Sequence, residues 1–206
     1  MVSRMTKVAK WSVFCLGLVP FLVLLYRALS NNLGPDPADT LAAETGEWTL
    51  RFLLLSLAIT PLRNMGGWPK LFPYRRTFGL FALFYASLHF AIYLVFLLQL
   101  RWSEISEDIL ERPYITVGFT AFLMLVALGV TSTKAMMRRM GRHWRQLHKL
   151  VYLINVLGLI HLIWILRTDL TEAVFYASIL LPLLAYRVYK YSVRKTAKHI
   201  DLSTPN

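Results

Sequence analysis

The run Trp144-Arg-Gln-Leu-His148-Lys-Leu-Val-Tyr152-Leu-Ile-Asn-Val-Leu-Gly158-Leu-Ile-His161 decides how this chain is read. From Leu147 to Leu166 it is almost wholly apolar. At about 1.5 Å per residue such a helix crosses most of a bilayer core of about 30 Å. It carries His148 and His161 thirteen positions apart, which is roughly 20 Å along the axis. A third histidine, His89, lies in another apolar segment. Ionisable groups inside a membrane are costly and are retained for function, so the question is what these imidazoles do.

Working outward, the whole chain has the same character. Of its 206 residues 56% are hydrophobic and 14% aromatic, with a mean hydropathy of +0.49. Soluble domains average roughly 45–50% apolar. The apolar residues come in blocks about twenty long, the length of a membrane crossing. The pattern predicts an all-α integral membrane bundle of six transmembrane helices over 11–29, 46–62, 77–100, 114–132, 147–166 and 173–189. Residues 1–10 form a short amino-terminal segment, 11–191 the membrane domain and 192–206 a basic, polar tail that frays. The second helix is the weakest, being short and carrying Arg51 near its outer end. Pro182 predicts a kink in the sixth.

The net charge of +12 does not point to nucleic acid, because the basic residues punctuate the apolar blocks instead of gathering on a soluble domain. Cys15 is the sole cysteine, which excludes an internal disulfide, a cysteine zinc site and a cysteine-ligated iron–sulfur cluster. No glycine-rich dinucleotide fingerprint or P-loop is present, so nicotinamide chemistry would need a partner. No internal repeat stands out.

Charge tests the topology. The amino-terminal segment, the loops 63–76 and 134–149, and the tail with Arg187 hold 18 of the 23 Lys and Arg. The three intervening loops, with Glu47 at the edge of the second helix, hold 10 of the 11 acids. The positive-inside rule then places both termini in the cytoplasm.

On that topology the third and fifth helices run parallel. His89 stands roughly 18 Å beyond Thr77 and His161 roughly 21 Å beyond Leu147, at nearly equal depth in the outer half. Two imidazoles facing each other are the axial ligands of a six-coordinate b-type heme, which exchanges one electron and offers no open site. Ala82, Ala86 and Ser87 before His89, and Gly158 before His161, would allow close approach. A lone histidine in an apolar helix is as often a packing residue; two at matched depth favour ligation. His148 sits near the cytoplasmic surface, where a solvated role is the plain alternative. His143 and His199 are assigned no role. Trp48, Trp102, Trp144 and Trp164 read as an interfacial belt.

Arg75-Arg76-Thr-Phe-Gly79, His89, Trp144-x-x-Leu-His148-x-Leu-x-Tyr152 and the twelve-residue gap to His161 resemble the ferric-reductase-like transmembrane domain. Within it the likeness is to the heme-binding membrane subunits of bacterial protein-methionine-sulfoxide reductase systems, and it covers nearly the whole chain. The larger members of the family stack two hemes between the third and fifth helices. That pattern assigns His89 and His161 to an outer heme b and His148 to an inner one. The partner expected for His148 falls on Arg75, which stays charged and cannot ligate iron. The expectation is therefore one outer heme, with Arg75 and His148 beside a different inner acceptor, a flavin phosphate or a quinone. The resemblance also implies FMN. It implies electron entry from the quinol pool or a cytosolic flavin reductase, and delivery to a periplasmic molybdopterin-containing methionine-sulfoxide reductase at the bacterial inner membrane.

Two further readings compete. One is a membrane metal-ion or oxygen reductase acting at the outer heme edge; the lack of a nicotinamide domain argues against a self-sufficient one. The other is a proton-coupled transporter relaying through His89 and His161, although the helix interiors lack the Asp or Glu residues that would complete a relay.

Overall fold

A computed structural model describes the backbone of residues 2–203, and all side chains within it except those of 2–7, 104, 106, 194–195 and 197–203. The expected tail histidine, His199, therefore lies outside the described side chains. Among the described residues every regular element is helical. The long helices are α1 (Val2–Leu29), α2 (Pro37–Met65), α3 (Tyr74–Ile92), α5 (Pro113–Val130), α8 (Leu150–Leu166) and α9 (Thr171–Ser203). Three short ones, α4 (Ile105–Glu111), α6 (Lys134–Met140) and α7 (Arg142–Leu147), lie in the connections.

Among the described residues, five segments are long and apolar enough to cross a membrane: Val8–Leu29, Pro69–Leu97, Pro113–Val130, Arg142–Leu166 and Thr171–Val193. The expected second crossing, 46–62, is the middle of a longer helix. α2 has 29 residues, about 43 Å, and starts at Pro37 behind Asp36, whose carboxylate accepts the Asp39 N–H at 3.1 Å. The Asp cap and Pro at the first helical position explain the early start. Charge hid this element. Glu44 pairs with Arg27 of α1, and Glu47 pairs with Arg51, whose Nε donates to Tyr176 Oη at 2.9 Å. A long helix with charges in its first half is thus the central one, burying Leu50, Phe52, Leu53, Leu54, Ser56, Leu57 and Ile59.

The other boundaries shift for local reasons. The basic loop 134–149 folds into α6 and α7, and the chain breaks at His148 and Lys149 before α8. The third crossing ends in a π-helical turn, Tyr93–Leu97. Instead of fraying at 192, the chain stays helical through Ser203. Arg167, with φ of 45°, makes the tight turn between α8 and α9.

The core has two clusters. In one, Phe52 of α2 stacks on Phe81 and Tyr85 of α3, at 5.1 and 5.4 Å between ring centres, over Ala82, Leu125 and Ile154. In the other, Leu50, Leu54 and Leu57 pack on Val151 of α8 and on Tyr176 and Leu180 of α9. Outward faces are apolar as well, for example Leu16 and Leu22 on α1 and Val174 and Leu181 on α9, which suits a lipid surround.

At two helix prolines a side chain from another helix enters the backbone ladder. Pro61 has no N–H for the Leu57 carbonyl, and Arg187 Nη2 of α9 donates to that oxygen at 3.0 Å. At Pro20 the Tyr85 hydroxyl enters the ladder of α1. It accepts from Phe21 N at 3.0 Å and donates to the Gly17 carbonyl at 2.8 Å. Such insertion is a recognised cause of helix bending.

Candidate functional site

α2 packs most extensively on α3, and α5 on α8. Each pair brings one histidine to the middle of the molecule. His89 of α3 and His161 of α8 face each other with ring centres 6.1 Å apart and planes at 90°. Matched depth on parallel helices becomes direct juxtaposition.

The two rings are held alike. His89 Nδ1 lies 2.8 Å from the Ala42 carbonyl oxygen of α2, and His161 Nδ1 lies 2.7 Å from the Tyr114 carbonyl oxygen of α5. A carbonyl only accepts, so in each neutral ring Nδ1 carries the proton and donates it, leaving the Nε2 lone pair bare. This is the second-shell arrangement that orients metal-binding imidazoles and raises their basicity. An iron–nitrogen bond of about 2.0 Å at each end would place two axial ring centres roughly 6 Å apart. The observed 6.1 Å fits that span. Among the described residues no cluster of three or more His, Cys, Asp or Glu could hold a metal. The donor set present is therefore two facing imidazoles, which suits an iron whose other four ligands come from a porphyrin.

The small residues beside the rings are not those the sequence singled out. Gly158 faces Leu50, with 3.7 Å from a hypothetical Cβ to Leu50 Cδ1. Ala82 and Ala86 are buried in the helix core, and the exposed Ser87 bonds back to the Leu83 carbonyl. Gly46 and Gly118, on the partner helices, lie against the imidazoles instead. A Cβ at Gly46 would stand 3.2 Å from His89 Cε1 and Nδ1, and one at Gly118 would stand 2.7 Å from His161 Cε1 and Nδ1.

Both glycines follow the accepting carbonyl by four residues, and each carbonyl precedes its histidine by 47. Tyr114, Gly118 and His161 each lie 72 positions after Ala42, Gly46 and His89. A three-point spacing therefore recurs across the two helix pairs. Nothing in residue type marks a backbone carbonyl as an acceptor, so the pattern is invisible until the helices are paired.

The inner site is built differently. His148 caps α7 and stacks on Trp144 at 4.1 Å, 28° between planes. Its Nε2 lies 3.2 Å from Thr131 Oγ1, and Trp144 Nε1 donates to the Thr131 carbonyl at 2.9 Å. Trp144 is thus a stacking partner of His148, and Trp48 packs on Phe52, Tyr85 and the Arg51 guanidinium. Arg75, near the start of α3, is brought close enough that its charge reaches both His148 and Arg187. Its carbonyl accepts from Ser56 Oγ at 3.2 Å. His143 is exposed on α7.

A cleft of about 640 Å³ opens at the far end of α5 and α8, lined by Glu111, Arg112, Pro113, Tyr114, Trp164 and Arg167. Tyr114 supplies the carbonyl that holds His161, and Trp164 lies one turn beyond it, so the cleft adjoins the histidine pair.

Residues 45–172 match the model of a family described as "Ferric reductase like transmembrane component". The chain belongs to this family. The matched range includes both carbonyl-proximal glycines and all three of His89, His148 and His161. The chain is also 45% identical over 204 residues to the protein-methionine-sulfoxide reductase heme-binding subunit MsrQ of Xanthomonas euvesicatoria pv. vesicatoria, covering 96% of this chain and 94% of that one. The same-named subunit of Xanthomonas campestris pv. campestris (strain 8004) is 48% identical over 172 residues, 82% of this chain and 79% of the other. That of Polaromonas naphthalenivorans is 44% identical over 186 residues, 89% and 85% respectively. The family membership accounts for the expected resemblance and for the multi-pass helical architecture.

Proposed function

We propose that the chain is the heme-binding electron-transfer subunit of a protein-methionine-sulfoxide reductase, with His89 and His161 as the axial ligands of one heme b. The observation that carries this reading is the facing ring pair with both Nδ1 atoms donated to carbonyls and both Nε2 atoms bare. The names of the relatives, heme-binding subunits of methionine-sulfoxide reductase systems, support it. Heme bound there supplies one-electron exchange at an iron with no open position.

The chain's own residues do the rest. Ala42 and Tyr114 hold each ring in one tautomer. The packed clusters of Phe52, Phe81 and Leu125 around the central helices exclude water. With α2 as a sixth crossing, the basic ends of the bundle lie in the cytoplasm with both termini, and the acidic loops lie outside. Electrons enter from the quinol pool or a cytosolic flavin reductase at the inner end. There Arg75 and His148 stand beside the inner acceptor, a quinone or the phosphate of FMN. They leave near the outer cleft toward a periplasmic molybdopterin-containing reductase subunit that repairs oxidised methionine. The setting is a bacterial inner membrane.

The test is an absorption spectrum of the purified protein, oxidised and then reduced. A b-type spectrum that disappears in both His89→Ala and His161→Ala is expected. A folded wild-type protein that never takes up heme would sink the reading.

A further inference from the structure

Gly46 and Gly118 interrupt otherwise ordinary helices, where glycine is less favourable than alanine. Neither sits at a turn or has a positive φ. At each, the three atoms nearest to an added Cβ all belong to the imidazole of a histidine from the paired helix. A helical carbonyl at position i already accepts the N–H of residue i+4. Its second lone pair points off the helix surface, so a ring that donates to it must lie over residue i+4. In both pairs that residue is the glycine. Under 3.0 Å a Cβ has no tolerated contact with a ring, which excludes alanine at Gly118 without movement and makes Gly46 tight.

We infer that Gly46 and Gly118, acting with the carbonyls of Ala42 and Tyr114, are positioning residues that set the rotation of the two iron-ligand rings and hold them perpendicular. The hydrogen bond aims one edge of each ring and the glycine shelf sets its plane. Two constraints per ring leave no free rotation about the ligand bond. Ring orientation matters electronically. Parallel axial imidazoles split the two iron d orbitals that interact with them; perpendicular rings leave those orbitals nearly equal, giving a strongly anisotropic low-spin signal with a large g-max. Second-shell geometry of this kind tunes a metal centre without touching the metal. The inference rests on the reading of His89 and His161 as ligands.

The test uses the full-length holoprotein in detergent, with EPR of the oxidised form and an optical redox titration. Four substitutions form a graded series: Gly118→Ala, Gly46→Ala, and the controls Gly158→Ala and Gly79→Ala. Gly158 is three residues from His161, yet its Cβ would meet only Leu50 at 3.7 Å; that of Gly79 would meet Ser56 Oγ at 3.9 Å. Wild type is expected to show the large g-max signal. Gly118→Ala should move it toward a rhombic signal and shift the potential, Gly46→Ala should do so less, and the controls not at all. If Gly118→Ala loses its heme, Gly46→Ala carries the decision. A moved signal there supports the inference and an unmoved one overturns it. Unchanged spectra in both, or an equal change in Gly158→Ala, also overturns it. Retention of a bis-imidazole signal in His89→Ala or His161→Ala would instead overturn the ligand reading itself, whatever the glycine variants show. Alanine in a helix interior is otherwise favourable, so a loss in Gly118→Ala is not one of helix propensity.

Discussion

α8 and the break that precedes it carry histidines in opposite circumstances. His161 has its Nδ1 committed to a backbone carbonyl, its Nε2 bare and another imidazole facing it. His148 has its Nε2 beside a threonine hydroxyl, its face covered by Trp144, and Arg75 within electrostatic reach. One ring has a free Nε2 and a second imidazole beside it, the arrangement a metal ligand needs. The other is fastened into the protein between Thr131 and Trp144, within reach of the Arg75 charge. A histidine on an apolar helix is thus not a role in itself; the partner of each ring nitrogen decides it.

The largest expected effect breaks the comparison if it fails. His161→Ala should abolish the b-type spectrum, whereas His148→Ala should retain it nearly in full. Equal loss in both, read by heme per protein, would mean that the two ends are alike and that an inner heme exists. Next, with FMN as the proposed inner acceptor, Arg75→Ala should lower the flavin content of the purified protein while leaving the heme spectrum unchanged; full flavin retention would remove Arg75 from the inner site.

A third test concerns what holds the inner end. Arg187→Met removes the donor to the Leu57 carbonyl that Pro61 leaves unpaired. A hydrogen bond from a charged donor is worth about 1.5–3 kcal/mol, so thermal unfolding in detergent should fall by several degrees with the outer spectrum intact. Next, Thr131→Val loses the hydroxyl's neutral hydrogen bonds to the Ala127 carbonyl and to His148 Nε2, each about 1 kcal/mol. It should slow reduction from the cytoplasmic side without changing the EPR signal of the outer pair.

The smallest effect is one of pH at the outer turn. The Thr171 side chain and its backbone N–H hold the Asp169 carboxyl below the usual carboxylate range. Because the folded value is the depressed one, this stabilisation is present above the unfolded value and is lost as pH falls through the folded one. Asp169→Asn should therefore lower the melting temperature slightly at neutral pH, and the difference should close in acid.

Much of the fold was legible because apolar blocks of membrane length need no tertiary information. α2 was the exception. Glu44, Glu47 and Arg51 make its outer half look like a loop, and only the pairings with Arg27 and Tyr176 show why those charges are tolerated there. The site was half legible. Depth along parallel helices picked out His89 and His161, since residue number converts to height through the helical rise. Small residues were sought on the histidines' own helices, and those that touch the rings lie on the partners.

The sequence by itself determined that the chain is a helical membrane protein, that its charges sort into two sides, and that two histidines share one depth. Those properties follow from composition and from distance along a single helix. Only the tertiary structure decided which nitrogen of each ring is free, which carbonyl accepts the other, and why glycine stands at 46 and 118. A backbone carbonyl is present at every position and a missing Cβ has meaning only against a neighbour. Both acquire a role when α2 lies on α3 and α5 on α8, contacts between residues 47 positions apart that no local pattern specifies.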